Sequence, residues 1–275
     1  MIQIKICGIS AVYNDEVCLP TFFSKLSSLT HPPDFHIFVT NNCTDRTDEL
    51  IDEHLKTHNG RRISYNMHED FVKKIDDPYA PIAVAWQVGL REARKLLRTD
   101  ESFTHLLYLD SDVFIETPAA VEIAATRDKH ILGAAYVRDF PLGRYLASIF
   151  YINDDIVKLL PQYESRRGEY FYFDKLFFDL LRVTYTSAGF MMLSRKISLD
   201  GRINFFPIDK VSIDGVYHKE CSPEFGYQNT ARRLGYETWL DGTILLSHYI
   251  GYRPRAHRGD GVKYVDFTYG VKNAT

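Results

Sequence analysis

The chain is short of the features that announce several common functions. Its four cysteines, Cys7, Cys18, Cys43 and Cys221, are scattered and show no CxxC spacing. They read as reduced thiols of a cytoplasmic protein. Neither sign of charge dominates: 33 Lys and Arg stand against 36 Asp and Glu, a formal net charge of −3. That balance excludes a general nucleic-acid binder. No apolar run is long enough to span a bilayer, and the chain enters an apolar stretch at Ile2 without a basic, cleavable leader. With no secretory signal, the sequons Asn42-Cys43-Thr44 and Asn273-Ala274-Thr275 are expected to be accidental. No GxGxxG and no GxxxxGK[ST] follows a predicted strand, so dinucleotide and P-loop chemistry is disfavoured. No repeat, low-complexity tract or linker divides the 275 residues, and one domain over 1–275 is expected.

What is present is the run His105-Leu106-Leu107-Tyr108-Leu109-Asp110-Ser111-Asp112-Val113-Phe114. Leu106 to Leu109 is continuously apolar, as in a strand buried on both faces of a parallel sheet. It ends in two carboxylates flanking a serine. Carboxylates crowded at such a strand mouth repel each other, and a bound cation relieves that repulsion. Hard oxygen ligands favour Mg²⁺ or Mn²⁺, ions that commonly complete their shell with phosphate oxygens. Asp-x-Asp alone is a weak motif; its place at a strand end gives it weight.

The flanking chain supplies the sheet. Gln3 to Val12 reads as a strand running into the polar turn Tyr13-Asn14-Asp15. Glu16 to Leu29 has helical apolar spacing, with Pro20 in its first turn. Phe35 to Val39 is a second strand, followed by Asn41-Asn42-Cys43-Thr44-Asp45 and a helix through Leu55 with Thr44 or Asp45 as N-cap. Arg62 to Tyr65 is a third strand, and Tyr79 to Leu97 a helix with a basic end. The order β-α-β-α-β-α-β predicts a mostly parallel central sheet flanked by helices. Its C-terminal turns, Ala11-Val12-Tyr13-Asn14, Thr40-Asn41-Asn42 and Asp110-Ser111-Asp112, then share one crevice. The second half is less regular. A helix is expected over Ala119 to Ala125 and a strand over Ile131 to Val137. A strand from Thr184 to Leu193 is interrupted at Ser187-Ala188-Gly189. Glu224 to Leu234 reads as a helix stopped by Gly235, followed by strands Tyr236 to Leu240 and Thr243 to His248. The tail from Gly251 to Asp260 is basic. Tyr163 and the run Tyr170-Phe171-Tyr172-Phe173 form an aromatic cluster that suits a sugar platform, a peripheral membrane contact or plain core.

The ordered set of motifs resembles the GT-A-fold, nucleotide-sugar-dependent glycosyltransferases of family-2-like, DxD-containing type. Ile9 to Asn14 is similar to their opening strand and base-binding turn, Val39 to Thr47 to the "V-D-D-G-S-T-D-x-T" element, and Asp110-Ser111-Asp112 to the DxD motif. Thr186 to Arg195 is similar to the acceptor-side strand, Ser222 to Tyr236 to the "G-E-D" helix, and Leu246-Ser247-His248 to the terminal strand with its metal histidine. Two departures stand out. The acid usual after the second strand is Thr40 or Asn41 here, and the "E-D" pair is Pro223-Glu224. The segment between Phe140 and Tyr185 has no counterpart in the pattern.

The resemblance implies an α/β GT-A (Rossmann-like) single domain with a smaller mixed acceptor-side subsheet. Residues 1–115 would form the nucleotide-sugar half, and 116–275 the acceptor-binding and catalytic half with a C-terminal basic flap. The implied activity is a metal-dependent, hexosyltransferase-type transfer in carbohydrate biosynthesis. Sugar moves from a nucleoside-diphosphate sugar to a hydroxyl of a carbohydrate, glycan or glycosylated-protein acceptor, with inversion. The implied cofactor is a divalent cation, Mn²⁺ or Mg²⁺. Asp112 would be its direct ligand, Asp110 would contact the ribose or a metal-bound water, and His248 would be a further ligand. Ala11, Val12, Tyr13, Asn14, Asn41, Asp110 and Ser111 would line the donor, with Arg253 and Arg255 of the flap on its diphosphate; Lys73 and Lys74 are similar candidates. Ser187, Ala188 and Gly189 would meet the acceptor, and Glu224 would be the general base. An acid in a first helical turn also stabilises that turn by about 0.3–1 kcal/mol, and the two roles are compatible. Three alternatives stay open: a retaining transferase, a sugar-phosphate nucleotidyltransferase, which wants a glycine-rich basic loop after the first strand, and a non-catalytic carbohydrate-binding protein.

Overall fold

The structure is a computed structural model. It describes residues 4–65, 80–139, 144–151, 170–173, 179–205, 211–213, 216–218 and 223–249. The first half alternates as expected: β1 (Ile6–Val12), α1 (Leu19–Ser27), β2 (Phe35–Asn41), α2 (Thr47–His54), β3 (Gly60–Tyr65), α3 (Ala80–Thr99) and β4 (His105–Leu109). The second half carries β5 (Val113–Ile115), α4 (Ala120–Thr126), β6 (Ile131–Asp139), β7 (Arg144–Tyr151), β8 (Tyr170–Phe173), β9 (Leu180–Val183) and β10 (Phe190–Ser194). It continues with the short α5 (Arg195–Ser198), the hairpin β11 (Val211–Ile213) and β12 (Val216–His218), α6 (Pro223–Arg233) and β13 (Thr238–His248).

Among the described residues one 11-stranded sheet runs β3-β2-β1-β4-β10-β6-β13-β5, with β7, β8 and β9 attached beside it. The first four strands are parallel. β10 then enters antiparallel between β4 and β6, so the second-half strands extend the same sheet. Alternate residues face opposite layers, as the strand period of two requires. Ile6, Phe38, Leu107 and Phe190 pack with α1, Ile51 of α2 and α4. Cys7, Ile37, Tyr108 and Met191 pack with α3, α5 and α6. Burying a Leu, Ile or Phe side chain contributes roughly 1.5–3 kcal/mol each, so these two layers carry the fold and leave the strand ends free for polar turns.

The expected strand from Thr184 to Leu193 is a strand only from Phe190 on, its first residues being irregular chain after the separate β9. Three other differences have a local reason. The first helix starts at Leu19 because the Asp15 carbonyl accepts the N–H groups of Cys18 and Leu19, at 2.9 and 3.0 Å, in a separate turn. The second starts at Thr47, and Asp45 acts from just outside it, its Oδ1 accepting the Thr47 N–H at 3.0 Å. The two terminal strands are one strand, β13, with a bulge between Asp241 and Leu245. Cys7, Cys18 and Cys43 are free thiols, and burial pushes Cys7 up to about 12. No helix among the described residues is long and apolar enough to cross a membrane.

A buried polar relay crosses the parallel strands. The Ser10 hydroxyl donates to the Leu109 carbonyl at 2.6 Å. A hydroxyl has one proton, so Ser10 accepts from the other side, and His36 Nε2, 2.9 Å away, must carry the hydrogen. His36 stacks on Phe38 with ring centroids 4.1 Å apart, and burial lowers its pKa to about 3. Gly8 makes room for that ring: a Cβ there would lie 3.0 Å from His36 Nδ1.

Candidate active site at the strand ends

The C-terminal ends of β2, β1 and β4 lie side by side. Asn14 and Asn42, just past β1 and β2, have φ of 50° and 48°, a left-handed backbone that Asn tolerates better than most residues. The two turns are stitched together. The Thr44 N–H donates to Asn14 Oδ1 at 2.8 Å, and the Asn14 amide donates to the Thr44 hydroxyl at 3.3 Å. The Glu16 N–H donates to Asp45 at 3.1 Å, and the Arg46 N–H donates to Glu16 at 3.0 Å. The Cys43 thiol lies 3.7 Å from the Val12 carbonyl, and burial raises its pKa.

Asp15 links these turns to the aspartate turn. It is buried. Its N–H donates to the Thr47 hydroxyl at 2.7 Å, and its carboxylate accepts the hydroxyl of Ser111. Ser111 therefore points inward, leaving its two aspartate neighbours at the rim. The sequence marked Asp15 only as part of a polar turn; its contact with Ser111 depends on β1 and β4 being paired. Of the expected donor-side residues, Tyr13 is 50% exposed, Ala11 and Asn41 are half-buried, and Val12 lies in the core.

Asp110 closes its turn by accepting the Val113 N–H at 3.1 Å, and its own N–H donates to the Gly189 carbonyl at 3.3 Å. On the far side, β13 runs antiparallel to β5 and sets His248 opposite Val113. The Tyr249 N–H donates to the Asp112 carbonyl at 2.7 Å. This brings His248 Nε2 to 3.8 Å from Asp112 Oδ2, each side chain 24% exposed. Adjacent ligands of an octahedral cation at about 2.1 Å lie about 3 Å apart, so this carboxylate–imidazole pair can converge on a divalent ion after a small side-chain rotation. No group of three or more metal-ligating side chains occurs among the described residues; Asp110 does not complete a trio with the pair.

Ser187, Ala188 and Gly189 lie beside the aspartate turn but are buried. Ala188 packs in the core, and the Ser187 hydroxyl accepts the Gly189 N–H at 2.9 Å. These residues form a floor. Gln228 of α6 grips the same loop, its carbonyl accepting the Thr186 N–H at 2.7 Å and its amide donating to the Thr186 carbonyl at 2.6 Å. Glu224 stands one helical turn earlier on the same face. It lies in the first turn of α6 and is 8% exposed. Tyr185 meets Phe225 edge-on at 5.0 Å. The expected donor contacts Arg253 and Arg255, together with Lys73, Lys74 and Tyr163, lie outside the described residues.

No protein-family model matches the sequence, and no curated protein sequence matches it. Solved structures do resemble the fold. The mannosyltransferase PcManGT from Pyrobaculum calidifontis, in complex with GDP-Man and Mn²⁺, superposes with a TM-score of 0.53 at 12% identity, over 91% of this chain and 58% of that one. GalNAc-T7 with UDP, GalNAc and Mn²⁺ superposes with a TM-score of 0.55 at 11% identity, over 94% of this chain and 45% of that one. This chain thus spans about half the length of each. At these identities the likeness establishes architecture alone: the mixed sheet and its flanking helices match the GT-A fold of those two transferases.

Proposed function

We propose that this chain is a divalent-metal-dependent glycosyltransferase that moves a sugar from a nucleoside diphosphate to an acceptor hydroxyl, with inversion. The observation that carries the reading is the Asp112–His248 pair, 3.8 Å apart, at the strand ends where α/β sheets bind ligands. Both fold neighbours were crystallised with Mn²⁺ and either a nucleotide sugar or its components. Asp112 and His248 would hold the cation, and a mixed carboxylate and imidazole set suits Mn²⁺. Bound there, a divalent ion supplies Lewis acidity to a departing diphosphate.

The chain's own groups divide the remaining work. Asn14, Asn41 and the exposed ring of Tyr13 offer neutral contacts for a nucleoside, where the resemblance leads one to expect a carboxylate. Asp15 fixes Ser111 so that Asp110 and Asp112 stay at the rim. Glu224, held next to the loop that Gln228 grips, would take the proton of the acceptor hydroxyl. Ser187, Ala188 and Gly189 would form the floor of the acceptor site beside Glu224. The division into a donor half, 1–115, and an acceptor half, 116–275, belongs to the same reading. A panel of nucleotide sugars incubated with Mn²⁺ should yield free nucleoside diphosphate, with acceptor or slowly with water, and EDTA should stop it. No release from any donor under conditions where the protein is folded overturns the proposal.

A further inference from the structure

The bulge in β13 decides where His248 stands. Up to Asp241 this strand runs in step with β6, Thr238 beside Ile131 and Asp241 beside Ala134; the next pair is Leu245 with Ala135. Four steps on β13 match one on β6, so Gly242, Thr243 and Ile244 form a loop unpaired with β6, with Ile244 anchored in the core. Without that loop, every residue beyond Asp241 would ride three positions, roughly 10 Å, further along the sheet. Three is odd, so each side chain would also change face. With it, Leu246, Ser247 and His248 pair with Ile115, Phe114 and Val113, and the imidazole meets Asp112.

One cluster of charged side chains holds the loop. Asp241 is fully buried. Its Oδ1 accepts the N–H of Thr243 at 2.8 Å and the Thr243 hydroxyl at 2.5 Å, a local turn of the kind Asp side chains favour. Its Oδ2 accepts Arg127 Nε at 2.6 Å. The same guanidinium donates to both oxygens of Asp179, at 3.2 and 2.5 Å, and the Gly242 N–H donates to the Asp179 carbonyl at 3.0 Å. Arg127 caps the C-terminal end of α4.

We propose that Arg127 and Asp241 are positioning residues for the metal pair: the ion pair locks the loop, the loop sets the register of β13, and the register puts His248 beside Asp112. This rests on the metal reading of His248 given above. A planar fork that binds two carboxylates is not replaced by an ammonium, so Arg127→Lys keeps the charge and loses the lock.

Two readouts test it. First, Mn²⁺ affinity by electron paramagnetic resonance: Arg127→Lys and Asp241→Asn should each weaken Mn²⁺ at least tenfold. In a His248→Ala background Arg127→Lys should add nothing, because the residues act through one another. A purely structural ion pair would lower the unfolding temperature and leave the affinity of the folded protein unchanged, and that result overturns the proposal. Second, a readout without metal: cysteines placed at Phe114 and Ser247, directly opposed in an antiparallel pair, lie within disulfide reach. Oxidation should crosslink them, identified by peptide mass, and Arg127→Lys should cut the yield severalfold. An undiminished yield also overturns the lock. Arg127-dependent crosslinking in the double-cysteine protein, together with no Mn²⁺ affinity in wild type, keeps the lock and removes the metal reading instead.

Discussion

Around Asn14 and Asp15 the crevice is closed by residues that sit just beyond their own strands, whereas at Asp112 it is closed by His248, which arrives on a bulged strand from the far end of the chain. The first region is many short hydrogen bonds between adjacent turns: Asn14 with Thr44, Glu16 with Asp45, Asp15 with Thr47 and Ser111. The second is one pair whose geometry depends on strand register. A site stitched locally should lose a single contact gracefully. A site set by register should fail as a unit. Parallel strands explain the difference: their C-terminal turns lie side by side by topology, while β13 has to be brought to β5 by an irregularity.

Substitutions and acid should act on the two regions unequally. Glu224→Gln removes the proposed base and keeps the hydrogen-bonding shape. Turnover should fall by about 10²–10⁴, with donor affinity intact by calorimetry; retained turnover places the base elsewhere. Acid is the next test, directed at the relay beneath the stitched turns. His36 is neutral in the fold, its pKa lowered by burial to about 3 from an ordinary 6.5. The unfolded chain binds the proton that the fold refuses, so stability is full above about 6.5 and is lost as pH falls towards about 3. His54, lowered to about 4 by burial and by His58, loses stability in the same direction. The advantage of wild type over His36→Gln in urea melts should therefore shrink between pH 6.5 and 4; a gap that widens contradicts the neutral-His assignment.

Gly133 probes the loop that Gln228 holds. A Cβ there would lie 1.6 Å from the Thr186 hydroxyl, and Thr186 is the residue Gln228 grips. Gly133→Ala should destabilise by about 1–3 kcal/mol, seen as a lower urea midpoint with an unchanged slope; wild-type stability would mean the loop yields freely. The smallest effect should come from the stitched region. Asn14→Ala loses the Thr44 contacts at about 0.5–1.5 kcal/mol each and also meets a left-handed backbone. The neighbouring links should hold, so Mn²⁺ affinity should stay within a few-fold of wild type. A collapse of Mn²⁺ binding in Asn14→Ala would erase the contrast between the two regions.

The same contrast explains what the sequence disclosed. The alternation from β1 to β4 was legible because doubly buried parallel strands are apolar runs, and Leu106 to Leu109 marks the aspartate turn directly. His248 was legible as a candidate, since an apolar strand leads to it. The bulge was not: Asp241-Gly242 looks like a turn between two strands, and nothing local announces that Arg127 and Asp179 converge on it. β5 has three residues, too few for a periodicity. The insertion of antiparallel β10 between β4 and β6 is a choice of neighbours that an amphipathic pattern does not encode. Asp15 reads only as part of a polar turn for the same reason, its partner Ser111 being adjacent only once β1 and β4 pair.

The most direct measurement is calorimetric titration of a nucleoside diphosphate into wild type and Asp112→Ala, each with Mn²⁺ and with EDTA. The metal role of Asp112 requires Mn²⁺-dependent binding by wild type and its loss in Asp112→Ala, with both proteins equally folded. Equal Mn²⁺-dependent binding by the two proteins would contradict it.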